Sequence, residues 1–141
     1  MTLRVELVVP EGEIWSGRAD MVIAKTLDGD IGVLTGHTPV LGILAEGSLV
    51  RIMPESAADA AAGAEVVAAV NGGFFSVADD RISILAREAQ LGEEVDARAT
   101  RAALDEAVQR AEASPGGDEE PADARYYRAL LRAAGDPADR A

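Results

Sequence analysis

The sequence predicts an α+β protein: an all-β N-terminal sandwich or flattened barrel, followed by a C-terminal antiparallel two-helix hairpin. Three observations predict it. Apolar residues over the first 88 positions fall in short runs, several alternating with polar residues at the period of a half-buried strand. Glycine, proline, asparagine and aspartate punctuate those runs at the spacing of antiparallel strands. Beyond Leu91-Gly92 the period lengthens to that of an amphipathic helix. The expected division is a sheet domain over 1–88 and a helical hairpin over 89–141, with helices at about 94–112 and 121–134.

Leu3, Val5, Leu7 and Val9 alternate with Arg4 and Glu6 until Pro10, which gives strand one. Trp15 opens a second stretch that is nearly continuous through Met21-Val22-Ile23-Ala24 and ends at Asp28-Gly29. Further strands are expected at Ile31–Leu34, Val40–Leu44, Ser48–Met53, Glu65–Val70, Phe74–Val77 and Arg81–Ala86. Gly36, Gly47, Pro54, Asn71-Gly72-Gly73 and Asp79-Asp80 separate them. The alanine-rich segment Glu55–Gly63 suits a helix by propensity, but its place between two strands makes a hairpin loop the expectation.

In the hairpin, Leu104, Ala107, Val108 and Ala111 fall at i, i+3, i+4 and i+7, and Tyr127, Leu130, Leu131 and Ala134 repeat the template. Ser114-Pro115-Gly116-Gly117 breaks the pattern between them. Pro121 suits the first turn of the second helix, Gly135 and Pro137 suit its end, and the tail 136–141 is expected to fray. The short connection makes the helices antiparallel. Because alanine dominates the stripe, burial at about 25 cal/mol per Å² holds the hairpin to the sheet by only a few kcal/mol. A hairpin held so thinly is expected to be detachable.

Composition removes several function classes. Acidic residues number 25 against 13 basic ones, a net charge of −12, which repels a nucleic-acid backbone. No apolar run approaches the roughly 20 residues of a membrane-spanning helix, and no signal-peptide core precedes Leu3, so a cytoplasmic chain without direct membrane insertion is expected. There is no cysteine and one histidine, His37, so neither a thiolate metal site nor a histidine-rich one is available and no metal is expected. His37, in Gly36-His37-Thr38-Pro39, reads as a turn residue bonded to nearby backbone rather than a general base. The only lysine, Lys25, is not preceded by glycine, so no phosphate loop exists. Asp79-Asp80 reads as a turn, not a catalytic pair. No catalytic residue is expected.

Three blocks in order resemble the ATP synthase epsilon (delta/epsilon) family. They are Val8-Val9-Pro10 through Ile14-Trp15-Ser16-Gly17; Gly29-Asp30-Ile31-Gly32-Val33-Leu34-Thr35-Gly36-His37-Thr38-Pro39-Val40-Leu41; and Gly72-Gly73-Phe74 with Arg81-Ile82-Ser83-Ile84-Leu85-Ala86. The second is the most specific. Its glycines and Pro39 are expected to shape one rigid turn. The resemblance implies that this loop, with Gly29, Asp30, Ile31, Gly32, Gly36, His37 and Pro39, faces the ring of membrane-embedded c subunits. It implies a non-catalytic central-stalk subunit of the proton-translocating enzyme, bound to the gamma subunit at the cytoplasmic face of the cell membrane as a peripheral protein. It implies also that the hairpin extends toward the catalytic alpha and beta subunits and restrains ATP hydrolysis.

Arg125, Arg128 and Arg132 at i, i+3 and i+7 are expected to share a helical face away from Leu131, suited to an acidic patch on a catalytic subunit. Glu94–Arg98 and Glu106–Arg110 read instead as local ion pairs. Many family members bind ATP through a hydrophobic residue and Asp, two free positions, then Arg-Ala. Here Val95-Asp96-Ala97-Arg98-Ala99-Thr100 puts alanine where the arginine belongs, and Arg98 one position early is rotated by about 100°. ATP binding by the isolated subunit is therefore expected to be weak or absent, with no other cofactor. An alternative of another class is a free-standing β-sandwich adaptor whose hairpin recruits some other protein. Co-purification with a complex of alpha, beta and gamma subunits separates the two. A carboxylate hydrolase ranks last for want of a base, a nucleophile and oxyanion donors in one cluster.

Overall fold

Alternation of the buried residues closes the first strand onto two neighbours at once. In the computed structural model, which describes residues 2–55, 65–113 and 121–135, β1 (Leu3–Val9) buries Leu3, Val5 and Leu7 completely and turns Arg4 and Glu6 outward. It pairs antiparallel with the first half of β2 (Gly12–Thr26) and parallel with β6 (Arg81–Ala86). The second half of β2 pairs with β3 (Gly29–Leu34) on one side and β4 (Val40–Pro54) on the other. β4 pairs with β5 (Val66–Ala78), and β5 with β6 and the short β7 (Ala89–Leu91). The circuit β1-β6-β5-β4-β2-β1 closes on itself, a flattened barrel with β3 at its border.

Two expectations are corrected here. Val40–Leu44 with Ser48–Met53, and Glu65–Val70 with Phe74–Val77, are not four strands but two long ones. Gly47 is a bulge position, where the register slips between Glu46 and Ser48 opposite Asn71 and Val70, and Gly73 pairs in register with Leu44 and Ala86 so that β5 runs on. Gly47 adopts φ +64°, a value that favours glycine, and the buried Ser48 hydroxyl donates to the Ala45 carbonyl at 2.7 Å, fixing the bend. The sheet also runs past residue 88 through β7, whose three residues carry too little pattern to be recognised. Of Glu55–Gly63, expected as a hairpin loop, all but Glu55 lies outside the described residues.

Most of the barrel core is aliphatic, with Phe75 its largest member. A 3-10 turn, Gly92–Glu94, leads out of the sheet to α1 (Ala97–Glu112), and α2 (Ala122–Ala133) returns to it. α1 begins later than expected because Glu94 belongs to the 3-10 turn and Asp96 caps the helix, its carboxylate accepting from the Ala99 N–H at 3.0 Å. Pro121 stands one position before α2 rather than inside its first turn. The breaker Ser114–Gly117 and the tail 136–141 fall outside the described residues. The hairpin joins the sheet through α2, where Tyr126, Ala129 and Leu130 pack on Ala69 of β5 with Leu49 of β4 at the margin. A separate cluster of Leu104, Ala107, Ala124 and Leu131 joins α1 to α2. Tyr126 and Ala129, outside the expected stripe, are buried because α2 has neighbours on two sides.

Candidate functional site: an apolar outer row and the elements around it

Four strands each carry two consecutive apolar residues, Leu7-Val8, Ile43-Leu44, Phe74-Phe75 and Ile84-Leu85. In a strand such a pair sends one side chain to each face. Leu7, Leu44, Phe75 and Ile84 fill the core, so Val8, Ile43, Phe74 and Leu85 point outward. Register brings them into line across the sheet: Ile43 opposite Phe74, Phe74 opposite Leu85, Leu85 opposite Val8. Ile43, Phe74 and Leu85 remain 52%, 55% and 50% exposed, and unlike the exposed Leu34 and Leu41 they adjoin one another in register as a contiguous apolar row. The row floors a groove of about 760 Å³ that also takes in Leu27. At one rim Arg87 donates to the Glu46 carboxylate at 2.8 Å, and Arg125 of α2 stands 4.0 Å from the same carboxylate. Reading the sequence for core alone missed this row; the four doubled apolar positions were its signal.

The glycine-rich block does not form one turn. Gly29, Asp30, Ile31 and Gly32 lie in β3, with Gly29 and Asp30 beside the β2–β3 turn and Ile31 half-buried against the core. Gly36, His37 and Pro39 lie in the loop to β4, at the other end of the strand, roughly 20 Å away at about 3.3 Å per residue. The stretch between them is extended because Asp30 to Leu34 pair in register with Lys25 to Met21. In the far loop the Gly36 N–H donates to Asp80 Oδ1 at 2.6 Å, across 44 residues of sequence. Asp79 and Asp80, both at positive φ, form the β5–β6 turn as expected, and the Asp80 carbonyl accepts from the Arg4 N–H at 2.8 Å. His37 Nδ1 donates to the Thr38 carbonyl at 2.7 Å, so its ring is engaged with backbone beside it.

The three arginines of α2 separate. Arg125 and Arg132 bracket the β4 bulge, Arg125 beside Glu46 and Arg132 donating to the Gly47 carbonyl at 3.3 Å. Arg128 instead lines a groove between the helices together with Arg101, Leu104, Asp105 and Leu131, so it does not face away from Leu131 as expected. A helical face has meaning only once the helix has neighbours, and α2 has them on two sides. Arg110 pairs with Asp123 across the hairpin at 3.3 Å, and Glu94 lies outside the helix on which its spacing to Arg98 would count. Of the Val95-Asp96-Arg98 set, Val95 packs beside the α2 seat, Asp96 is occupied in capping, and Arg98 is exposed on α1. Among the described residues no group of three acidic or histidine side chains is placed to hold a metal.

The protein-family model of the ATP synthase delta/epsilon chain beta-sandwich domain matches residues 2–92. An ATP synthase epsilon chain from Thermobifida fusca is 54% identical over 110 residues, 77% of each chain. One from Frankia casuarinae is 52% identical over 91 residues, 64% of this chain and 99% of the relative. Among solved structures, a chain of the Euglena gracilis mitochondrial ATP synthase superposes with a TM-score of 0.75 at 23% identity, covering 94% of this chain and 81% of that one. On the strength of the family model and these relatives, the chain belongs to the ATP synthase epsilon-chain family, whose members are non-catalytic subunits of the rotary enzyme.

Proposed function

We propose that this chain is a central-stalk coupling subunit, seated on the gamma subunit through the Val8–Ile43–Phe74–Leu85 row, on the cytoplasmic side of a proton-driven enzyme. The observation that carries this reading is the row itself. Three large apolar side chains, each half exposed and adjacent in register across three strands, cost solvation in isolation and gain it against a partner. Ring contact is assigned to the two ends of β3: Asp30 with Gly29 and Ile31 at one, Gly36, His37 and Pro39 at the other. In this posture Arg125 and Arg132 are engaged with β4, and extension of the hairpin would release both toward the catalytic alpha and beta subunits, restraining hydrolysis. ATP binding by the isolated chain is weak or absent in this reading. Ala99 stands where the family places an arginine, so the charge-assisted contact that guanidinium would give a phosphate is missing.

The test is Phe74→Asp, added to an alpha-beta-gamma complex lacking this subunit. Loss of a central apolar anchor is expected to weaken association by about 30-fold or more, with the melting temperature of the isolated chain little changed. An affinity within about threefold of wild type removes the row from the gamma interface.

A further inference from the structure

The backbone of α2 comes closest to the rest of the chain at two glycines, Gly47 in the β4 bulge and Gly92 at the start of the 3-10 turn after β7. A Cβ built on Gly92 would lie 2.0 Å from the Ala133 carbonyl oxygen and 2.6 Å from its carbon. A Cβ built on Gly47 would lie 2.6 Å and 2.7 Å from the carbonyl carbon and oxygen of Arg125. These are contacts of main chain on main chain, and no side chain can swing aside to relieve them. Arg125 and Ala133 are about 12 Å apart along the helix axis. Between them Ala129, fully buried, faces Ala69, also fully buried, so the approach stays close over the whole length. Arg132 bonding to the Gly47 carbonyl adds a directional contact at the same bulge.

We infer that Gly47 and Gly92 are a pair of sockets that define the one position in which the hairpin rests on the sheet. A helix gripped by its backbone at two points cannot slide by part of a turn, so α2 is either seated or off. Gly92 is the informative member of the pair. Gly47 needs its positive φ for the bulge, whereas Gly92 has a backbone conformation open to any residue, so its lack of a side chain serves the approach of Ala133. A methyl group there opposes the seated helix while leaving the barrel circuit β1-β6-β5-β4-β2 intact; its nearest sheet atom is the Val67 carbonyl at 3.3 Å, which needs to yield only slightly. The inference concerns the resting position and stands whether or not the hairpin restrains hydrolysis.

Hydrogen exchange on the full-length chain tests it with two variants, Gly92→Ala in the 3-10 turn and Ala129→Leu on the helix. Amides of Ala122–Ala133 are expected to exchange about tenfold faster or more, while Leu3–Val9 and Arg81–Ala86 keep wild-type rates. If Gly92→Ala loosens β1 and β6 together with α2 while Ala129→Leu frees the helix alone, Gly92 serves the sheet rather than the seat and the inference fails. Exchange in α2 within about threefold of wild type in either variant overturns the inference. So does acceleration of β1 and β6 along with α2 in both, because the helix is then no separable body. ATP hydrolysis in membranes is a separate readout: unchanged hydrolysis with a freed helix would count against the regulatory reading and leave the sockets standing.

Discussion

Tyr126 lies on the sheet-facing side of α2, and burial, aided by the nearby Glu88 carboxylate, pushes its phenol up to about 12 from the ordinary value near 10. Because the folded state holds this proton more tightly than the unfolded one, the stabilisation is complete below about pH 10 and is lost as pH rises toward about 12. The hairpin is therefore expected to leave the sheet in that alkaline window, and phenolate absorbance should show a late step that Tyr126→Phe abolishes. If the step survives in Tyr126→Phe, the assignment fails. At this scale the sequence was legible where geometry is local. His37 bonds to its neighbour Thr38, and Asp79-Asp80 makes a turn, as residue type and position indicate. It was illegible where a side chain's role depends on distant backbone. Nothing in the neighbourhood of Asp80 announces that its carboxylate grips the Gly36 amide.

The element scale has a comparable division. In sequence Asp96 belongs to an incomplete nucleotide motif, and in the structure its carboxylate caps α1. Asp96→Ala is expected to cost about 1 kcal/mol of helix stability and Asp96→Asn to restore most of it, read from exchange of the first-turn amides of α1. Equal exchange in the two variants would show that the cap contributes nothing. Strands β1, β3 and β6 follow from alternation, since each buries one side only. In sequence β4 and β5 each divide in two at Gly47 and Gly72-Gly73, ordinary terminators, whereas in the structure Gly47 is a bulge and Gly72-Gly73 lie within a continuous strand. Two bent strands facing each other let one sheet wrap into a barrel, which no single run of residues records. The glycine-rich block failed as a single turn for the opposite reason: pairing with β2 straightened what its glycines would have allowed to fold back.

For the whole molecule, the division between a sheet and a thinly attached hairpin is written in the change of period after Leu91-Gly92, and the clusters agree. Barrel core, α2 seat and interhelical contact are three separate clusters of buried residues. The Frankia relative matches over 91 residues that make up 99% of its length, about the size of the sheet domain alone. A chain ended after Gly92 is therefore expected to fold and to remain on the enzyme. ATP hydrolysis in membranes should rise roughly twofold or more, as when about half of the complexes were held inactive, with synthesis retained. Unchanged hydrolysis would remove the braking role. The interhelical cluster draws on α1 and α2 and on no strand, which ranks the ways the molecule can open. α1 can lift from α2 while α2 stays on the sheet, whereas α2 leaving with the interhelical cluster intact carries α1 along. Parting the helices and unseating α2 at once costs both clusters. A slight disturbance is thus absorbed by the outer arm, and only a larger one reaches the contact that matters.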